Sequence, residues 1–94
     1  MSVLVVHHRV RDYDAWKPVF DEHEASRREH GAARHWLYRT ADDPNDVVIA
    51  LEFRSEKDAR GFLEDPSLRE AMERGGVEGE PDIHFREQIE TLEY

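Results

Sequence analysis

The chain has no cysteine among its 94 residues. That excludes disulfides, thiolate metal sites and a cysteine nucleophile. Long apolar runs are also missing. The apolar start, Val3 to Val6, is too short to span a bilayer or to serve as the core of a secretion signal, so a cytoplasmic protein is expected. Positive charge is scarce. Thirteen Lys and Arg stand against 22 Asp and Glu, a net charge of −9. Nucleic acid and anionic membrane both need a basic surface, so neither is expected as a partner. No Gly-rich phosphate loop, serine-nucleophile motif or dinucleotide fingerprint occurs. Nor is there a repeat, a linker or a low-complexity tract, and residues 1–94 read as one domain with a modest core.

The most ordered stretch is Val47 to Met72. Val47-Val48-Ile49-Ala50-Leu51 is apolar and rich in β-branched residues, which suits a central strand covered on both faces. Ser55 is placed to cap a helix over Glu56 to Glu64, with Asp58 three residues on. Asp65-Pro66 reads as a second cap with proline at the first helical position, opening a helix to Arg74. Gly75-Gly76 ends it.

Upstream, Ser2 to Arg11 alternates as a strand. Val3, Val5 and His7 fall on one face, and Leu4, Val6, His8 and Val10 on the other. A helix is predicted from about Tyr13 to His30, capped by Asp12 and closed by Gly31. Pro18 cannot donate to the carbonyl of Asp14, so the regular helix is expected to begin only near Lys17. Ala33 to Thr40 reads as a strand, Ala41 to Asp46 as a turn, and Val77 to Pro81 as a loop. Asp82 to Leu92 reads as a last strand in which Ile83, Phe85 and Ile89 alternate with polar residues.

The order strand, helix, strand, strand, helix pair, strand gives an α+β, ferredoxin-like βαββαβ sandwich with helices on one side of the sheet. Two strands are nevertheless apolar on both faces. Leaving several hundred Å² of apolar sheet wet would cost on the order of 10 kcal/mol, which a second subunit packed sheet to sheet would remove. A homodimer is therefore expected.

Several segments together resemble one known group. They are the opening strand followed by DYDAWKPVFDEH at Asp12 to His23, the turn DDPND at Asp42 to Asp46, and VVIALEFRSEKDA followed by FLEDPSLREAM. The chain resembles the dimeric α/β-barrel superfamily, and within it the antibiotic biosynthesis monooxygenase-like and cyclase-like proteins. The resemblance implies a small-molecule enzyme working without a cofactor, by oxygenation or cyclisation of flat aromatic or polyketide-like compounds. It also implies a ligand space between sheet and helices. Haem-degrading relatives carry an Asn on the first strand, a Trp ending the third and a His in the next helix. Here His7-His8, Phe53 and Phe62 stand in those regions, which argues against haem degradation.

Candidate site residues follow from helical spacing. Tyr13, Trp16, Phe20, His23 and Arg27 lie on one stripe. His23 is a candidate base and Arg27 a candidate holder of an anionic oxygen, with Trp16 and Phe20 as apolar walls. His8 is the second catalytic candidate, because it follows Leu4 and Val6 on an apolar face. Trp36 and Tyr38 share a strand face and could line a flat aromatic site, although ordinary core or interface packing explains them better. Six histidines invite a metal, but no ligand-spaced pair occurs; a set such as His8, His23 and His84 would need distant segments, so no metal is expected. The competing readings are a non-catalytic binding module and a structural dimer with a filled core.

Overall fold

Strands β1 (Ser2–Val10) and β3 (Asp43–Phe53) lie side by side in the middle of the sheet, as their two-sided apolar character requires. Strand β2 (Ala32–Thr40) borders β3, and β4 (Val77–Glu87) borders β1. Every neighbouring pair is antiparallel. The computed structural model describes all of residues 1–94. Helices α1 (Tyr13–Glu22) and α2 (Glu24–Glu29) connect β1 to β2, and α3 (Glu56–Leu63) and α4 (Pro66–Gly75) connect β3 to β4. The expected ferredoxin-like βαββαβ sandwich is what forms.

The core sits between helices and sheet. Leu4, Val6 and Val10 of β1 and Val47, Ile49, Leu51 and Phe53 of β3 meet Trp16, Phe20, Ala59 and Phe62 of the helices. Leu4 pairs with Leu51, Val6 with Ile49 and His8 with Val47, so His8 belongs to the core face. On the opposite face Val5 pairs with Ala50 and His7 with Val48. Val3, Val5, Trp36, Val48 and Ala50 on that face are only half-buried.

The helix caps follow local chemistry. Ser55 Oγ accepts from the Asp58 N–H at 3.1 Å, and Asp65 Oδ1 accepts from the Ser67 N–H at 2.9 Å. Gly76 ends α4 in the left-handed region at φ 79°. Gly75 is needed for a different reason: a Cβ there would stand 2.9 Å from Trp16 Cδ1.

Pro18 does not delay the first helix. It sits inside α1, which is regular from Tyr13 onward after the Asp12 cap. The carbonyl of Asp14, left without a donor, belongs to an exposed residue that water can serve. The irregularity falls at His23 instead, where φ −87° and ψ 8° separate α1 from α2. Arg27 Nη1 donates to the Phe20 carbonyl at 2.8 Å and the His23 N–H to the same oxygen at 3.2 Å. In a continuous helix that oxygen would accept from the N–H of Glu24.

The connection before β3 is shorter than expected. Only Ala41 and Asp42 lie outside the strands. Asp43 to Asp46 join β3 because neighbours hold their side chains. Arg9 Nη1 donates to Asp43 at 2.6 Å, the Tyr13 N–H to Asn45 Oδ1 at 2.8 Å, and Thr40 Oγ1 to Asp46 at 2.7 Å. Strand β4 likewise starts at Val77 rather than Asp82 and ends at Glu87. It passes through Pro81, which an edge strand tolerates. Residues 88–94 carry no regular structure, and Ile89, expected to point inward, is 93% exposed.

Candidate functional site

A cavity lies between α1, α4 and the core face of the sheet. Its walls are mostly apolar and include Trp16, Phe20, Ile49, Phe62 and Met72. Three polar side chains interrupt them: His8, His23 and Arg27. The interior is small, about 50 Å³. That is room for a water or two at about 30 Å³ each, and a flat aromatic would need Leu68 and Met72 of α4 to move outward.

His8 is 5% exposed, and its Nδ1 is sealed from solvent with no hydrogen-bond partner. Trp16 presents an edge contact to the ring, with centroids 5.6 Å apart. Burial pushes the His8 pKa down from the usual histidine value, and the neighbouring His7 adds to this. The imidazole is therefore neutral near pH 7, with a lone pair on one ring nitrogen and the proton on the other, as the tautomer sets.

His23 stands where α1 breaks. Its Nε2 is hydrogen-bonded to Ser67 Oγ at 2.8 Å, the donor being set by the tautomer. Burial is the main cause of its lowered pKa, followed by the charge of Arg27. Ser67 belongs to a wider network. Asp65 accepts from Ser26 Oγ at 2.9 Å and from His30 Nε2 at 3.0 Å. Ser26 of α2 and His30, which caps it, are four apart and so share a face. The network ties the α1–α2 junction to the start of α4. Its members beyond His23 were not singled out by spacing, because nothing local brings α2 to Asp65.

Those donors hold the Asp65 carboxyl well below the usual range, the Ser67 N–H first and the Ser67, Ser26 and His30 side chains after it. A depressed carboxylate pKa stabilises the fold above the unfolded value near 4, and that stability is lost as pH falls toward the native value. Asp65→Asn is expected to flatten the fall of the urea midpoint between pH 5 and pH 3. Parallel curves for the two proteins would refute the assignment.

Arg27 is 4% exposed and stacks on Phe20, with its guanidinium carbon 3.9 Å from the ring centroid. Burial lowers its pKa, while Glu24 and Asp21 partly offset this; a guanidinium nevertheless stays charged at pH 7.

Trp36 and Tyr38 do not reach this cavity. They pair with Ala50 and Val48 on the far face of the sheet, where Tyr38 is exposed. Their shared face is real, but the β2 register turns it away from the helices. His84 lies on that same far face, paired with Val5, so His8, His23 and His84 cannot meet around a metal. No cluster of three or more His, Cys, Asp or Glu side chains has metal-binding geometry. No helix is long and apolar enough to cross a membrane.

No family profile and no curated protein matches the chain. Solved structures do match. SnoaB, a cofactor-independent oxygenase from Streptomyces nogalater, superposes with a TM-score of 0.80 at 19% identity, over 97% of this chain and 95% of that one. A Nitrosomonas europaea protein named as an antibiotic biosynthesis monooxygenase gives 0.75 at 23% identity, over 96% and 100%. A Deinococcus radiodurans protein of the same name gives 0.72 at 15% identity, over 100% and 98%. The expected resemblance thus holds for the fold along nearly the whole chain.

Proposed function

We propose that this protein is a cofactor-independent monooxygenase acting on a flat, weakly acidic aromatic compound in the cavity between α1, α4 and the sheet. The observation that carries this is His8, a neutral, buried imidazole with an unpartnered nitrogen in a mostly apolar chamber. Such a base can take a proton from an activated ring carbon or phenol, leaving an electron-rich anion that reacts with dioxygen. The overall change is a ring CH2 and O2 giving a ring C=O and water. His23, held by Ser67, is the second proton-handling group, and Arg27 faces the developing anion. Cyclisation begins with the same proton abstraction but consumes no oxygen.

The test is oxygen uptake with anthrones and hydroquinones. His23→Ala is expected to lower turnover by about 10²- to 10⁴-fold, the usual worth of a general acid or base. Uptake unchanged in both His23→Ala and His8→Leu would refute a catalytic role for either histidine. The small interior favours one rival reading, a structural dimer with a filled core. No uptake and no binding of any aromatic would select it.

The active form is proposed to be a homodimer joined through the far face of the sheet, where Val3, Val5, Trp36, Val48 and Ala50 are incompletely covered. Sedimentation is expected to show a dimer at micromolar concentration and Val48→Lys a monomer. A wild-type monomer with no concentration dependence would end the idea.

A further inference from the structure

Arg27 has a second neighbourhood. A groove of about 250 Å³ runs between α2 and β2, lined by Glu24, Arg27, Arg28, Arg34, His35 and Leu51 among others. Arg27 and Leu51 line both this groove and the apolar cavity, so they form the wall between them. The groove alone, at about 250 Å³, lies just below the usual size of small-molecule sites.

The charge of the groove runs against that of the chain. Three arginines line it against one glutamate, in a protein of net charge −9. Two of the arginines have anionic partners. Arg28 pairs with Glu24 at 3.3 Å and Arg34 with Glu52 at 3.1 Å. Arg27, the most buried of the three, forms no ion pair and makes a single hydrogen bond, to the Phe20 carbonyl. A guanidinium has five N–H donors. The remaining nitrogens of Arg27 make no hydrogen bond within the chain, yet they are not among the solvent-sealed unpartnered atoms, so solvent still reaches them. A desolvated cation with free donors costs free energy until an anion satisfies it, and a carboxylate fits the planar fork with two parallel bonds.

We propose that this groove binds the carboxylate of an aromatic acid, held by Arg27 and Arg34, and that the ring of the same ligand enters the apolar cavity as Leu68 and Met72 of α4 move outward. The proposal rests on the reading of that cavity as a ligand site and narrows its ligand from aromatic compounds in general to aromatic carboxylates.

The experiment compares 2-naphthoate with neutral methyl 2-naphthoate by calorimetric titration of the full chain. The acid is expected to bind at least about tenfold more tightly, a preference that shrinks as salt rises. Arg27→Met is expected to bring the acid down to the affinity of the ester. Arg34→Gln, an exposed change, is expected to weaken the acid severalfold and leave the ester unchanged. Equal binding of acid and ester by the wild type overturns the proposal. So does a preference that survives Arg27→Met or, if that variant does not fold, one that Arg34→Gln leaves undiminished. Oxygen uptake plays no part in this readout. Selective naphthoate binding without turnover of any phenol removes the oxygenase reading and leaves the groove. Turnover of neutral phenols with no preference for the acid does the reverse.

Discussion

Trp16→Ala is expected to remove about 3–5 kcal/mol of folding stability, the usual cost of deleting a buried large aromatic. The residue is almost fully buried. It stacks on Phe20, meets the edge of His8, leans on Tyr13 at 5.8 Å and fills the space over Gly75. Removing the indole undoes the α1–α4 contact and the α1–sheet contact at once. Urea denaturation measures the loss. A second readout makes the test specific. A cavity lined by apolar groups stays dry and takes up a small aromatic. Free indole at millimolar concentration should therefore raise the melting temperature of Trp16→Ala and leave the wild type unmoved. A loss under 1 kcal/mol, or no effect of indole, would show that α1 packs differently.

His8→Leu is expected to act in the opposite direction. A buried polar atom without a partner costs about 1–3 kcal/mol, so an apolar side chain of similar size should stabilise the fold by that order at neutral pH. The gain should widen in acid. Burial holds the native pKa of His8 below 6.5, as it does for His23 and His35. When pH falls through the unfolded value near 6.5, the unfolded chain takes up the proton first, and stability is lost until pH passes the native pKa. His8→Leu deletes one of these three contributions and should flatten the slope below pH 6.5. It should also abolish turnover, the combination expected where function keeps a destabilising group in place. A variant less stable than the wild type at pH 7 would show that His8 makes a bond worth keeping.

The readings that held rest on local chemistry. Ser55, Asp65-Pro66, Asp12 and Gly76 act within a turn of their own positions, and strand alternation separated His7 from His8 without reference to any other segment. The readings that failed needed a partner from elsewhere. Asp43 to Asp46 look like a turn until Arg9, Tyr13 and Thr40 are brought beside them. Pro18 was expected to disturb the helix, but the break belongs to Arg27, seven residues past the carbonyl it takes. The stripe from Trp16 to Arg27 still predicted its cavity walls, because α2 continues on the same side after the break. Trp36 and Tyr38 were paired correctly with each other. Which side of the sheet they faced depended on the β2–β3 register, and alternation alone leaves that open.

The placement of β1 between β3 and β4 also sets a timetable for synthesis. Ser2 pairs with Phe53 on one side and with Glu87 on the other. From Val10 to Val77 a ribosome adding 5–20 residues per second needs roughly 3–13 s. Throughout that interval Val3 to Val6 have at most one of their two strand neighbours. This central strand is thus made before either of its neighbours and is the last to be flanked on both sides. Such long-range pairing also slows folding once the chain is free. Nascent chains of this protein should therefore depend on a chaperone that shields β-branched segments, and should aggregate most when translation stalls between α3 and β4.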